Sequence, residues 1–559
     1  MKRLRLVIAM AIVWGGVAIS APSPDKSGQG KGATTPSKAS TTAPADTAPL
    51  SAGLNPFEAP EFTTRASVID ELVFSQLEKL GIKPARPCSD SVFLRRAFLD
   101  VIGTLPTVRE SAQFYADRSA NKRAALIDRL LAREEYVDYW AMKWCDVLRV
   151  KAEFPINLWP NAAQAYHRWI RTAVRDNMPY DRFAREMLTS SGSNFRVPPV
   201  NFYRAMQNRE PAGIAQTVAL TFMGQRADKW PEEKLSQMAA FFGKVGAKGT
   251  QEWKEDVIFF DPSKTNATPL AEPHFPDGST PGKSAHGISG DADPRLVFAD
   301  WLIRPENPWF TRAIANRCWG WLMGRGIVHE VDDIRPDNPP VNPALLSCLE
   351  RELRNSKYDL RQLMRLILNS RTYQLSPIPA DPSRADEARA QFAFYPVRRL
   401  EAEVLIDALN QVTGGAEHYT SVIPEPFTFI PEDFRAIALP DGSISSPFLE
   451  LFGRPARDTG MESERNNRIT AAQRLHLLNS TQIQRKLEDG PQLEHFLKTE
   501  SLSRPDITGL YLSILSRHPS ESESEAALTY ARKNKGKPRE AALDLAWALI
   551  NSAEFLHRH

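Results

Sequence analysis

The segment DPRLVFADWLIRPENPWFTRAIANRCWGWLMGRGIVHEVDDIRPDNPP, residues 293–340, concentrates aromatic rings, an Asn-Arg pair and an Asp-Asp pair. Its apolar side chains recur at helical spacing from Arg295 onward. Trp309 and Phe310 precede Arg317 by about two helical turns, which places the arginine near the same helix face. Few solvated helix faces have this composition, so the segment is either a buried structural centre or a site.

Helical periodicity continues along the chain in both directions from this segment. Upstream, residues 68–80 repeat apolar side chains at helical spacing, and Thr107 with Glu110 forms a capping box. Downstream, Ser520 with Glu523 forms another capping box. Short turns marked by Pro or Gly separate the helices, which is typical of an all-α bundle. The predicted fold class is mostly α, with two helical domains joined by an irregular linker and little β structure.

Changes in composition divide the chain into segments. Residues 244–292 break the helical pattern with a run rich in Pro, Gly, Ser and Thr, in which Trp253–Phe260 predicts one short strand. The predicted segments are a signal peptide at 1–20, a disordered Ser/Thr/Pro/Ala-rich tether at 21–62, an N-terminal helical domain at 63–243, an irregular linker at 244–292 and a C-terminal helical domain at 293–559.

The first residues predict export. Basic residues at positions 2, 3 and 5 precede an apolar run from Leu6 to Ile19, and small residues follow, so a signal peptidase would cleave after Ser20. The alternative is an uncleaved membrane anchor, although the run is short for a bilayer span. No second apolar run of about 18 residues follows, so the mature chain has no predicted transmembrane segment. The predicted location is secreted or periplasmic.

The net charge and the motifs that are absent argue against several classes of function, and the cysteine spacing predicts the state of the thiols. The formal net charge of the 559 residues is only +3, which gives no concentrated basic face for nucleic acid. The sequence contains no HExxH, GxSxG, P-loop or GxGxxG motif. Its four cysteines form no CxxC motif and are predicted to be free, buried thiols, with disulfide bridges as the alternative. They are Cys88, Cys145, Cys318 and Cys348.

The segment HEVDDIRPDN, residues 329–338, holds candidate acidic chemistry. Asp332 and Asp333 are candidate catalytic residues, since neighbouring carboxyl groups shift each other's pKa and can act as an acid/base pair. Together with His329 and Asp337 they are also candidate ligands of a hard cation such as Ca²⁺, although EF-hand spacing is absent. The structural alternative is that one Asp caps a turn while the other pairs with a nearby Arg.

Arginines form a second set of candidates. Arg317, the third candidate catalytic residue, would either clamp a carboxylate or sulfate or hold one of the two aspartates in the fold. Arg399 and Glu403 are four residues apart on a helix predicted at 398–412, where an ion-pair network is the alternative to a site. The candidate binding residues are Asn316, Trp319, Arg398 and Arg399.

Two groups of sequence blocks resemble a known pair of domains. The N-terminal blocks are FLRRAFLDVIGTLPTVRE at 93–110 and RAALIDRLLAREEYVDYWAMKWCDVLRV at 123–150. The C-terminal blocks are the 293–340 segment, NSRTYQLS at 369–376, RRLEAEVLIDAL at 398–409, LFGRPARD at 451–458 and LAWALINSAEFL at 545–556. Over nearly the whole chain beyond residue 63, they are similar to the paired planctomycete cytochrome-associated domains of unknown function, numbered fifteen-forty-nine and fifteen-fifty-three.

The chain departs from that family at one place. Family members often carry a CAQCHxHP-like segment after a Phe-Leu-Gly sequence, but here FMGQRADKWPEEKLSQMAAFFGKV at 222–245 contains neither Cys nor His. Covalent c-type haem requires a CxxCH motif, which occurs nowhere in the chain. Covalent haem is therefore excluded and no cofactor is predicted, with Ca²⁺ as the weaker alternative.

The resemblance implies an extracytoplasmic bacterial protein, a binding or scaffolding component associated with envelope redox or polymer-processing systems. Its implied partner is an envelope protein or a c-type cytochrome in trans. Whether the protein is an enzyme stays open: the alternative is a hydrolase of an envelope or sulfated polysaccharide that uses Asp332, Asp333 and Arg317. A hydrolase predicts these groups in an open pocket, whereas a scaffold predicts them buried and paired, with a separate exposed apolar patch.

Overall fold

The computed structural model describes residues 55–267, 269–281, 292–430, 432–498, 501–534 and 536–559. The predicted signal peptide and most of the predicted tether lie outside these residues. The end of that tether is described, and Phe57 and Phe62 pack against the hydrophobic core. Glu58 forms a β-bridge with Cys88. These two rings supply apolar area that the preceding Ser/Thr/Pro-rich stretch lacks.

Helices build the N-terminal region. They are α1 Val68–Lys79, α2 Asp90–Val101, α3 Val108–Ala116, α4 Lys122–Leu131, α5 Glu134–Val147, α6 Pro160–Arg175, α7 Tyr180–Thr189, α8 Asn201–Arg204, α9 Pro211–Val218 and α10 Glu232–Ala239. Helix α3 begins at the predicted capping box, in which the Glu110 amide donates to Thr107 Oγ1 at 3.2 Å and the Thr107 amide donates to Glu110 Oε2 at 2.8 Å. Helix α2 is buried along nearly its whole length, so it lies at the centre of the packing.

A small antiparallel sheet combines one strand of the N-terminal region with two strands at the start of the segment predicted as an irregular linker. Its strands β1 Gly192–Ser193, β2 Val245–Gly249 and β3 Asp256–Phe260 lie in the order β1-β3-β2. Strand β3 falls within the strand predicted at 253–260. Its pairing with β1, Gly192 opposite Ile258, attaches the β2–β3 hairpin to the N-terminal region.

Helices also build the C-terminal region, so the predicted mostly α fold is confirmed. They are α11 Pro294–Ile303, α12 Phe310–Met323, α13 Pro343–Asn355, α14 Leu360–Leu368, α15 Ala385–Ala390, α16 Ala402–Thr413, α17 Pro447–Leu451, α18 Ala471–Asn479, α19 Thr481–Asp489, α20 Glu494–Leu497, α21 Arg504–Leu515, α22 Glu521–Lys533, α23 Pro538–Ile550 and α24 Ala553–Leu556. The predicted capping box of Ser520 and Glu523 is present at the start of α22. A two-residue strand, β4 Arg398–Arg399, pairs with β5 His557–Arg558.

One hydrophobic core runs through both helical regions. Two buried arginines of α2 reach across it to the C-terminal region. Arg95 donates to the carbonyl oxygens of Ile514 and Phe555, each at 2.9 Å, and Arg96 donates to the carbonyl oxygen of Leu375 at 2.9 Å. The two bonds of Arg95 satisfy carbonyls near helix ends, and the bond of Arg96 satisfies a loop carbonyl.

All four cysteines are free and buried, which confirms that prediction. Within the described ranges, the helices are all too short or too polar to cross a bilayer.

Candidate functional site: a buried ion pair and an exposed aromatic surface

Arg317 and Asp332 form a buried ion pair. Helix α12 ends at Gly324, whose φ of 74° turns the chain back on itself. The Asn316 side chain fixes the returning loop, because its amide donates to the Val328 carbonyl at 3.0 Å and its oxygen accepts from the Val328 amide at 2.9 Å. The loop thus brings Asp332 back to α12, where its Oδ1 accepts from Arg317 Nη2 at 2.5 Å.

Both partners of this ion pair make further bonds inside the protein. Arg317 Nη1 donates to the Thr221 carbonyl at 2.9 Å, and Asp332 Oδ2 accepts from the Glu462 amide at 2.7 Å. Burial lowers the pKa of Arg317, but the attraction of Asp332 outweighs it and holds the pKa above its ordinary value. The pair therefore joins α12, the helical turn Ala219–Met223 that follows α9, and the 459–465 segment, and both side chains are at most 3% exposed.

Asp333 points away from this pair towards the surface. Arg335 donates to Asp333 Oδ2 at 3.1 Å and to Asp337 Oδ2 at 3.0 Å, and half of its side chain is exposed. The nearby His329 has a lowered pKa, first because of partial burial and second because of Arg325. Within the described ranges, no three His, Cys, Asp or Glu side chains converge as metal ligands would.

The candidate binding residues lie in the interior or at its edge. Trp319 is fully buried and its ring meets Phe392 edge-on, with centroids 5.1 Å apart. Partly exposed Arg398 donates to the Leu322 carbonyl at 2.7 Å, at the end of α12. Buried Arg399 donates to the Phe452 carbonyl at 2.6 Å. Like Asn316, these side chains hold backbone segments or fill the core.

The ion pair predicted between Arg399 and Glu403 is wrong. The prediction required one helix over 398–412, but Arg399 lies in β4 and α16 begins only at Ala402. Without the helical turn between them, the two side chains point to different partners. Glu403 accepts instead from Arg465, at 2.7 and 3.1 Å.

A second buried ionic network surrounds Glu401. The sequence pattern favoured ion pairs around this residue but did not indicate the distant partners Lys143 and Arg558. This carboxylate accepts from Lys143 Nζ at 2.7 Å and from Arg558 of the last strand. Burial raises the pKa of Glu401, but the charges of Arg558 and Lys143 outweigh it and hold the pKa well below its usual range. The network ties α5, α16 and β5 together.

An exposed aromatic surface lies elsewhere on the molecule. We define it as partly exposed Trp159 with exposed Trp253 and Phe427, and two further exposed rings, Phe154 and Phe429, lie near Trp159 and Phe427 in the sequence. The ring of Trp159 lies 6.4 Å from that of Trp253 and 5.4 Å from that of Phe427, measured between centroids. Phe154, Trp253, Phe427 and Phe429 are 79%, 67%, 52% and 69% exposed. Isolated exposed apolar side chains are common. Here, rings from three separate loops meet at one place on the surface.

The loop that carries Trp159 is held in an uncommon backbone conformation. Trp159 has φ 70° and ψ 150°, a region that side-chain-bearing residues rarely adopt, and Asn157 has φ 57°. The loop folds on itself, since the Asn157 amide donates to the Glu153 carbonyl at 2.7 Å and the Trp159 amide donates to the Ala152 carbonyl at 3.1 Å. A strained conformation persists only where its surroundings enforce it.

Buried contacts beneath the aromatic surface hold the Trp159 loop in this backbone conformation. The Ala152 amide donates to Asp441 Oδ1 at 2.9 Å, and Lys151 pairs with Asp458 at 2.7 Å. Buried Arg204 donates to the Leu158 carbonyl at 3.3 Å and to Asp256 Oδ2 at 2.8 Å, which links this loop to the hairpin that carries Trp253. The third loop is tied in where the Val422 amide donates to Glu153 Oε1 at 3.2 Å.

A cavity between α5, α6, α7 and α14 is too small for a typical ligand. Its volume is about 30 Å³, roughly the share of one water molecule in the liquid. Tyr136, Trp140, Trp144 and Phe183 are among its lining residues. Drug-sized and cofactor sites usually enclose about 300 Å³ or more, so this cavity is a packing feature.

Family comparisons agree with the resemblance seen in the sequence. Residues 68–246 match the family described as PSCyt2, protein of unknown function (DUF1549), and residues 294–531 match PSD1, protein of unknown function (DUF1553). The chain therefore carries both domains, the first in its N-terminal and the second in its C-terminal region. No curated protein and no solved structure matches the chain.

The aromatic surface draws on both domains. Trp159 lies in the DUF1549 match, Phe427 lies in the DUF1553 match, and Trp253 lies on the hairpin between them. In the sequence these rings stand in turn-rich segments without apolar periodicity, so they gave no helix or strand signal. Their one recognisable feature is that large rings occupy turns otherwise rich in Pro, Glu and Lys.

Proposed function

We propose that this DUF1549–DUF1553 protein is a non-enzymatic binding component of the bacterial envelope, and that the aromatic surface is its contact site. The observation that carries the proposal is the meeting of Trp159, Trp253 and Phe427, from three loops and both domains, at the protein surface. Covering one such ring would contribute about 1.5–3 kcal/mol to binding. A cluster of rings has the composition typical of interaction hot spots.

The rings are also preorganised for binding. Their loops are fixed by backbone bonds and by buried Asp441 and Arg204, so little conformational freedom is lost when a ligand binds. The exposure of Trp253 and Phe429, 67% and 69%, is difficult to explain by folding, since burying the rings would stabilise the chain.

The hydrolase alternative receives no comparable support. Glycoside hydrolysis requires two carboxyl groups that face the scissile bond. Asp332 instead binds Arg317 and the Glu462 amide in the interior, while Asp333 binds Arg335 on a different side. The candidate residues thus have bonding partners typical of structural groups.

The envelope location rests on the sequence of residues 1–20, which predicts export. The association of the family with c-type cytochromes motivates a cytochrome in trans as one partner. Because the chain has no CxxCH motif, any such redox centre would belong to the partner.

Co-sedimentation with washed envelope fragments of the source bacterium tests the proposal. We expect the mature protein to sediment with the fragments and Trp253→Ala to bind at least tenfold more weakly. Leu475→Ala is the matched control, because Leu475 is also exposed, at 58%, but lies on α18 outside the aromatic surface. Equal binding of wild type and Trp253→Ala would contradict the proposal.

A further inference from the structure

We infer that the ligand of the aromatic surface is a neutral polysaccharide, whose sugar rings stack on Trp159, Trp253 and Phe427. This inference rests on the proposed binding function and specifies its ligand. Its basis is the shape, the border and the rigidity of the aromatic surface.

The orientation of the rings suits a chain of sugars. The plane of Trp159 is inclined by 83° to that of Trp253 and by 58° to that of Phe427, so the three rings do not form one flat patch. Successive units of a polysaccharide present their C–H faces at different angles around the chain axis. Rings at different angles can therefore each contact a separate sugar. A protein partner with a flat apolar face would contact only one of the three rings well.

Polar groups border the rings closely. Asn157, Glu252 and Lys254 are all exposed and lie within two residues of Trp159 or Trp253 in the sequence. The Lys254 ammonium lies 5.5 Å from the centroid of the Trp253 ring. A sugar presents an apolar face with hydroxyl groups around its edge, so a ligand of this kind needs an aromatic ring bordered by hydrogen-bonding groups.

The charge at this border favours a neutral polymer. Acidic Glu252 and Glu425 stand among the same loops as basic Lys254. A polyanionic ligand is attracted by a concentrated basic face, which this mixture does not provide. The net charge of +3 over the whole chain agrees with that conclusion.

The loops that carry the rings are rigid. A single sugar contributes little binding energy, so a polysaccharide site gains affinity from several contacts held in fixed positions. The positive φ values of Asn157, Trp159 and Lys254, 57°, 70° and 61°, occur in the two loops that form this site. A backbone held in uncommon conformations around exposed rings is what a preorganised site requires.

Affinity electrophoresis of the mature protein tests the inference. Native gels would contain hydroxyethylcellulose, galactomannan or xylan as neutral probes and dextran sulfate as the polyanionic probe. We expect retardation in at least one neutral gel, unaffected by moderate salt. Trp253→Ala and Phe427→Ala should each weaken it about tenfold, the order expected for one stacked ring. Trp253→Phe should retain most of it, and Leu475→Ala all of it.

Several outcomes would overturn the inference. These are no retardation by any neutral probe, equal retardation of wild type and Trp253→Ala, or retardation by dextran sulfate alone that salt removes. If envelope fragments bind in a Trp253-dependent way but the neutral gels show nothing, the polysaccharide inference fails and the proposed binding function stands. Loss of Trp253-dependent binding after protease treatment of the fragments would indicate a protein partner. Unchanged melting temperatures of the variants would show that they are folded.

Discussion

Replacement of Asp332 by Asn should lower the free energy of unfolding strongly without creating or abolishing a reaction. The substitution keeps the size of the side chain but removes its charge. Arg317, at most 2% exposed, then stays buried without a counter-charge, and the Glu462 amide loses a charged acceptor. Breaking a buried ion pair by removing one partner costs about 3–5 kcal/mol.

The neighbouring residue provides a matched control. Asp333→Asn makes the same chemical change one position away, but its partner Arg335 is half exposed. Surface ion pairs contribute up to about 1 kcal/mol, so this variant should remain close to wild type.

Urea denaturation of the two variants, followed by circular dichroism, measures the difference. The m-values should match that of wild type, so that shifts in midpoint report stability. A double variant, Arg317→Met with Asp332→Asn, should recover part of the loss because it removes the unpaired charge. Equal stability of Asp332→Asn and Asp333→Asn would refute the assigned structural role. So would the loss of a hydrolytic activity in Asp332→Asn at unchanged stability.

Three further predictions concern the buried groups. The pKa of Asp407 is raised from 3.8 to about 6, mainly by burial. The contribution of its protonated form to the free energy of unfolding is therefore complete below pH 3.8 and is lost as the pH rises through about 6. The free energies of unfolding of wild type and Asp407→Asn, measured against pH, should diverge within that window. The pKa of Glu401 is lowered because the charges of Arg558 and Lys143 outweigh the effect of burial. The contribution of its ionised form to the free energy of unfolding is therefore complete above pH 4.5 and is lost in more acidic solution. Glu401→Gln should be less stable than wild type by several kcal/mol at pH 7 and should approach wild type in acid. The four buried thiols should not react with a thiol reagent in native protein and should all react in denaturant. If two of the cysteines formed a disulfide bridge, titration in denaturant would count only two reactive thiols.

The helices could be predicted because their signals are local. Apolar spacing predicted the buried face of α12, and the Thr107–Glu110 and Ser520–Glu523 pairs predicted the starts of α3 and α22. Each signal depends on residues within one or two helical turns.

The candidate site was less predictable because its contacts are long-range. Arg317 was one of two alternatives in the sequence as a partner of an aspartate, but no sequence signal indicated that Asp332 also accepts from the Glu462 amide, 130 residues away. The Arg399–Glu403 prediction failed because two residues of strand precede α16, and the partner of that strand is at positions 557–558. Strand pairing of this separation leaves no periodic signal in a two-residue segment.

The aromatic surface was not predictable for a related reason. Trp159, Trp253 and Phe427 are far apart in the chain and lie in turns, where side-chain spacing says nothing about direction. Only the fold shows that they meet. Buried groups beneath them, Asp441 and Arg204, come from two further segments.

The most direct test of the account compares two variants, Trp253→Ala and Asp332→Asn, in one experiment: their affinity for envelope fragments, measured well below both melting temperatures. We expect Trp253→Ala to lose at least tenfold in affinity at unchanged melting temperature. Asp332→Asn should bind as wild type does although it melts earlier. The reverse pattern, in which Asp332→Asn loses binding and Trp253→Ala keeps it, would contradict the proposed function. It would indicate that the binding site includes the Arg317–Asp332 pair.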